Sequence, residues 1–258
     1  MRTGDDDNWL ELATARGGTI RVLKRAHPRA RRLRLTVSST GARLSYPHGT
    51  HPAQAFAFLR QHADWLERKL DELHLDAAPP PLTVGQPTLI PLRGESVRLG
   101  WAQGPYPRVE SHGDSLRVVL AESGTRGRLR AQALLSGYLA SELRRDVARW
   151  LGPFVARLGA APMALRVRPM SSLWGSLDAR DRITLDLALA LAPSAALRYV
   201  LAHELCHLKV RSHAPRFWSW VRELTPDYQE QRDWLREHGA ALKAELTRLG
   251  GSARRIPG

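Results

Sequence analysis

His203-Glu204-Leu205-Cys206-His207, with His213 six residues further on, groups the side-chain types that hold a metal ion and move a proton. On an α-helix a four-residue step is close to one turn. His203 and His207 therefore project from one face, about 6 Å apart along the axis, and can close on one ion. Neutral imidazole suits zinc, and one Zn2+ is the expected cofactor. Glu204 lies roughly 100° round the helix from His203, near enough to reach water at that ion without being a ligand, and reads as the general base. Composition alone produces the five-residue pattern on the order of once in fifty such sequences, so its setting has to add to it. Ala192-Pro193-Ser194 supplies a helix start with Ser194 as the N-cap, and Leu197, Val200, Leu201, Leu205 and Leu208 give that helix an apolar face.

Three protein ligands and an open position make a catalytic zinc site, whereas four make a structural one. His213 reads as the third ligand, because the chain can turn after Val210 and Ser212-His213-Ala214-Pro215 opens a new helix. Glu223 and Glu230 are its rivals, a carboxylate from a second helix being a common alternative. The longer pattern His-Glu-x-x-His-x-x-Gly-x-x-His shares this spacing, but Val210 stands at its glycine and all three Met precede the helix, which excludes a downstream Met-turn. An oxyanion partner is expected from among Tyr199, Arg211, Arg216 and Tyr228, and Phe217, Trp218 and Trp220 read as packing behind the metal. Cys206, the single cysteine, lies about 60° off the histidine face and reads as a core residue.

The elements that must position these residues follow from periodicity. Arg168 to Ser176 leads through a polar turn, Asp178 to Asp181, into Ile183-Thr184-Leu185-Asp186-Leu187, whose alternation suits a half-buried strand. A strand or hairpin thus feeds the metal helix, and its exposed edge could hold an extended peptide by main-chain hydrogen bonds. Upstream, strands are expected near Thr19 to Lys24, Arg31 to Val37 and Ala42 to Tyr46. A helix should open at Pro52 with one apolar face of Phe56, Leu59, Ala63, Leu66, Leu70 and Leu73, followed by a stiff linker at Ala77 to Pro81. A second β-rich stretch holds Val97 to Trp101 and Leu116 to Leu120, before a long helix from about Arg128 to Trp150. Helices near Pro215 to Leu224 and Pro226 to Leu249 close the chain, the last broken at Gly239. No internal sequence repeat is visible.

The fold class is α+β. Trp174-Gly175-Ser176, then Ile183-Thr184-Leu185, then His203-Glu204-Leu205-Cys206-His207-Leu208, then His213-Ala214-Pro215-Arg216-Phe217-Trp218 resembles the YgjP-like, SprT-like family of bacterial zincins. Arg31 to Val37 and His62 to Leu66 resemble that family's N-terminal strand and helix. The resemblance implies a zincin-like metallopeptidase domain with a short sheet or hairpin before the active-site helix, plus an N-terminal β/α subregion. It also implies His203, His207 and His213 as metal ligands and Glu204 as catalytic acid/base. Trp174, Gly175, Ser176 and Arg216 are the expected substrate-binding residues. One branch of the family carries a UTP pyrophosphatase label, which keeps nucleotides open beside peptides as substrates. Family members commonly have a basic residue where this chain has Leu173, a cysteine at Leu177 and an asparagine at Asp186, differences that bear on substrate recognition. The expected organisation is a polar tail over 1–17 and one domain over 18–249, followed by a basic tail over 250–258. The domain is read as a β-rich subregion over 18–122 and a catalytic subregion over 123–249.

With 258 residues and 43% hydrophobic content the chain can bury a sizeable core. Asp5, Asp6 and Asp7 in an N-terminus without an apolar segment are unlike a signal peptide, no run approaches a membrane span, and the lone cysteine excludes an internal disulfide. A cytoplasmic enzyme without a membrane partner is the expectation. The net charge of +14 leaves a polyanion partner open, with one basic cluster at Arg21, Lys24, Arg25, Arg29, Arg31, Arg32 and Arg34 and another over Arg126 to Arg149.

Overall fold

Short runs of alternating apolar and polar residues build two four-stranded sheets of the same strand order, each with helical cover on one face. The computed structural model describes residues 9–13, 19–26, 30–38, 41–72 and 82–250. The chain divides into two units, Met1–Ala78 and Pro79–Gly258.

In the first unit β1 (Trp9–Ala13), β2 (Thr19–Ala26), β3 (Arg34–Ser38) and β4 (Gly41–Tyr46) form a sheet in the order β1-β2-β4-β3, with β2 and β4 parallel and the outer pairs antiparallel. Leu12, Val22, Ala42 and Leu44 are buried on one face with Leu59 of α1 (Pro52–Gln61) and Leu66 of α2 (Ala63–Glu72). Pro52 opens α1 as expected, and the His51 ring at the N-cap accepts the Ala53 N–H at 3.3 Å. Two expectations are corrected. The single helix from Pro52 breaks at His62, where the backbone leaves helical geometry at φ −110°, ψ 16°. Residues 9–13, assigned to a polar tail, form a strand, because Leu10 and Leu12 flank Glu11 at the two-residue period of a strand and add to the buried face. Leu73, the linker at Ala77 to Pro81 and residues 251–258 lie outside the described residues.

The second unit opens with β5 (Thr88–Leu92), β6 (Glu95–Gln103), β7 (Arg108–His112) and β8 (Ser115–Leu120), in the order β5-β6-β8-β7 with the same strand directions as the first sheet. The fold thus repeats a topology that the sequence does not repeat. Against it lies α3 (Gly124–Leu158), which buries Ala131, Leu135, Leu139, Leu143 and Val147 at four-residue spacing. Gly152-Pro153 carries the ordinary signal for a helix end, yet α3 runs through it to Gly159, whose φ of 61° ends the helix. Sheet and helix share one core, so the boundary between units falls at Ala78/Pro79 and not at 122/123.

A third sheet follows, of β9 (Ala164–Arg168), β10 (Gly175–Leu177) and β11 (Arg182–Asp186) in the order β10-β11-β9, leaving β10 at an edge. A 3-10 turn, Leu187–Ala190, leads into α4 (Ser194–Cys206), then α5 (Pro215–Leu224) and α6 (Tyr228–Gly250). Ser194 is the first helical residue and not the cap: Pro193 holds the extended cap conformation and its carbonyl accepts the first helical N–H groups, from Ala196 and Leu197. α6 runs unbroken through Gly239.

The two-residue turn between β5 and β6 fixes the approach to α4. Arg93 and Gly94 both have positive φ, 53° and 84°, the requirement of a tight hairpin. Their N–H groups donate to Ala190 and Leu191 carbonyls at 3.0 Å each, and the Arg93 guanidinium reaches Asp146 at 2.7 Å and Glu142 at 2.6 Å on α3. A Cβ on Gly94 would stand 2.9 Å from Pro193 Cγ and 3.1 Å from its Cα. Gly94→Ala is expected to lower stability by about 1–3 kcal/mol in urea unfolding, from positive φ and that collision together. An unchanged midpoint would contradict this docking.

Candidate metal centre and cleft

α4 carries His203 and Glu204 in its last turns and ends at Cys206, but His207 at the C-cap keeps helical backbone angles, so the one-turn relation of the two imidazoles survives. The chain then turns and Pro215 starts α5 at its first position, which brings His213 back over the end of α4. His213 Nε2 lies 3.1 Å from His203 Nε2, and one ligand atom from each of His203, His207 and His213 falls within 4.8 Å of the others. Two nitrogens bonded to one tetrahedral zinc at about 2.0–2.1 Å are about 3.3 Å apart, so the spacing fits such an ion. Among the described residues this trio is the grouping that could hold a metal. Glu223, a rival ligand, instead pairs with Arg157 at 2.6 Å.

The protonation of His203 and His207 also fits. His207 Nδ1 lies 3.1 Å from the Val210 carbonyl, which can only accept, so Nδ1 carries the proton and Nε2 keeps its lone pair. Burial pushes His203 down to about 3, with His207 and His213 adding to the effect, and burial lowers His207 as well. Both rings are therefore neutral ligands near neutral pH. Phe217, fully buried, meets all three imidazoles with ring centroids 4.5–4.9 Å away, and Trp218 stacks on His213 and on Tyr228. Cys206 is a core residue whose thiol burial pushes up to about 12, which leaves it protonated and inert.

A cleft of about 430 Å³ opens over the trio, lined among others by Trp174, Gly175, Ser176, Tyr199 and Glu204. Arg211 also borders it, but its guanidinium is engaged by the Asp181 carboxylate and the Asp178 carbonyl. Of the other sequence candidates, Arg216 lies exposed on α5 and Tyr228 is buried against Trp218. Neither lines the cleft. Glu204 is buried on its floor, where desolvation pushes its carboxyl up to about 7 against the opposing pull of the Leu177 N–H that it accepts. Gly175 is a matter of space: a Cβ there would stand 2.6 Å from Glu204 Cγ and 2.7 Å from Oε1. Asp186 donates its N–H to the Trp174 carbonyl and Asp178 donates to Arg182, so 174, 176 and 178 turn their polar groups towards β11. Gly175 and Leu177 therefore turn theirs away from β11, the Leu177 N–H to the Glu204 carboxylate and the others to the open edge.

Residues far along the chain hold this edge. Asp186 is fully buried and its carboxylate accepts from Met170 N–H at 3.2 Å, Ala188 N–H at 3.1 Å and the Lys243 ammonium of α6. Lys243 also donates to the Met170 and Leu173 carbonyls, each at 3.0 Å, and its Nζ lies 4.5 Å from the centroid of the Trp174 ring. That ring rests on Gly239, where a Cβ would come within 2.6 Å of Trp174 Cζ2. Sequence reading missed Lys243 and read Gly239 as a break.

Lys243→Ala should cost about 3–5 kcal/mol at neutral pH, by leaving the Asp186 charge buried and unpaired. Burial already raises Asp186 and Lys243 opposes that rise, so the variant raises it further. A carboxyl raised on folding favours the folded state at acid pH and loses that contribution as pH rises through its folded pKa. The penalty should accordingly shrink from pH 8 to pH 5 in urea unfolding, and a pH-independent penalty would contradict the pairing.

A model of the family described as YgjP-like, metallopeptidase domain, matches residues 31–238. Among solved structures, the crystal structure of the metallopeptidase zymogen of Pyrococcus abyssi abylysin is 28% identical, over 34% of this chain and 90% of its own, with a TM-score of 0.32. No curated protein matches the chain.

Proposed function

The chain belongs to the YgjP-like family of metallopeptidase domains, and from that premise we propose that it is a zinc-dependent peptidase acting on extended peptide. The reading rests on one observation: the three imidazoles, the buried Glu204 carboxyl and the edge strand β10 border a single cleft. His203, His207 and His213 would hold the ion. Zinc there would supply Lewis acidity, lowering the pKa of water towards about 7 and polarising a carbonyl oxygen.

The remaining steps belong to the chain. With the Leu177 N–H held by Glu204, a peptide pairs with the outward N–H and C=O of Gly175 and the C=O of Leu177, which lays its scissile carbonyl across the imidazoles. Glu204 takes a proton from the attacking water and returns it to the leaving amine nitrogen. Its low-dielectric setting keeps the carboxyl a strong enough base for this, and a dication beside it favours the ionised form. Tyr199, whose phenol burial keeps protonated, is the donor for the developing oxyanion, being the tyrosine that borders the cleft. Nucleotide pyrophosphate hydrolysis has less support. The cleft is lined by one arginine, Arg211, already engaged, where a triphosphate calls for several cationic donors.

Glu204→Gln should retain one equivalent of zinc by mass spectrometry and lose about 10²–10⁴-fold in peptide turnover, while His213→Ala loses the zinc. Gly175→Ala should keep the zinc and lose on the order of 10²-fold, since displacement of Glu204 by about 1 Å spoils its aim. Zinc-loaded protein that leaves a broad peptide library intact but releases pyrophosphate from UTP would overturn the peptidase reading.

A further inference from the structure

The first unit carries a surface that hydrolysis leaves without a role. Between Glu11 and Asp64 the chain has no acidic residue and ten Lys and Arg. With 25 acids in 258 residues overall, about five would be expected in a stretch of that length. The sheet turns this imbalance into a face. Val22, Ala42 and Leu44 point into the core under α1 and α2, so the alternate positions point the other way. By register Arg25, Ser45 and Arg34 stand in one row across β2, β4 and β3, and Arg43 lies two residues along β4 from Ser45 on the same side.

Neighbouring strands are about 4.8 Å apart and alternate residues about 6.6 Å, so the three arginines root roughly 8–10 Å from one another. All three are exposed, and no carboxylate among the described residues pairs with any of them. The acid on this face, Glu11, sits on β1 opposite Arg21, 3.7 Å from its Nε. The second sheet, with the same topology, makes the contrast. There Glu110 lies in register with Arg117 and gathers Arg108 at 2.6 Å, His112 at 3.6 Å and Arg117 at 4.0 Å.

We infer that the outer face of the first sheet binds the sugar–phosphate backbone of nucleic acid without reading its sequence. Guanidinium forks match phosphodiester oxygens in pairs, and binding draws its free energy from release of the counterions condensed on the polyanion. The row spacing lets successive phosphates meet different arginines.

The test is fluorescence anisotropy of the full chain on a labelled DNA duplex of about 20 base pairs, from about 25 to 200 mM salt, with unrelated sequences compared. Wild type should bind with a Kd of about 1–100 µM at the higher salt, alike for all sequences. Replacing Arg25, Arg34 and Arg43 together by Gln should reduce the slope of log affinity against log salt by about 2–3 and weaken binding at least tenfold at low salt. Should the triple variant melt lower than wild type, each single Arg→Gln variant should lower the slope by about 1. An unchanged slope in the variants, absence of duplex binding at low salt, or arginine-dependent binding to phosphatidylserine vesicles without duplex binding would each overturn the inference. Zinc content and peptide turnover play no part in this readout.

Discussion

Three imidazoles aimed at one point are the constraint around which the second unit is organised. With His203 and His213 Nε2 atoms 3.1 Å apart, at most one proton can lie between them, and the lone pair of His207 is directed to the same place. Lone pairs so gathered repel unless a cation satisfies them, and protonation is a poor substitute because burial holds His203 down to about 3. Left to itself such a trio would relax by rotating its rings. Phe217 removes that option by packing against all three.

The ligands are useful only if the strand that presents a substrate is fixed against them. Two close approaches set that distance: Gly175 lets Glu204 come against the strand, and Gly239 lets Trp174 come against α6. The ion pair of Lys243 with Asp186 ties the intervening loop. Taking both charges out of water costs several kcal/mol each, which the Coulombic attraction alone does not reliably repay. Hydrogen bonds from Met170 and Ala188 N–H to the carboxylate, and from Lys243 to two carbonyls, shift the balance by leaving few polar atoms unsatisfied. The Arg93-Gly94 turn ties the approach to α4 in the same way.

What was legible in the sequence is what depends on local spacing. The pairing of His203 with His207 follows from one helical turn, and the return of His213 from the helix start at Pro215. Gly175 stood out by resemblance alone, and its reason, the absence of room for a Cβ, required Glu204 to be placed. Lys243 was not legible because its partners lie 57 to 73 residues away and helix periodicity gives a lone exposed-type lysine no distinction. Gly239 misled because glycine weakens a helix locally; tertiary packing of the surrounding turns outweighs that cost, as it does at Pro153 in α3. β1 was hidden by the polar composition around it, although Leu10 and Leu12 carry the period of a strand. The common topology of the two four-stranded sheets has no counterpart in residue identity, since strand order is set by which faces must be buried.

X-ray absorption at the zinc edge of the loaded protein tests the central claim most directly, because it reads the ligand shell without reference to any substrate. The account predicts three imidazole nitrogens at about 2.0–2.1 Å with the multiple-scattering pattern of histidine, and one further light atom from solvent. A sulfur at about 2.3 Å, or a shell of four protein ligands with none exchangeable, would contradict it.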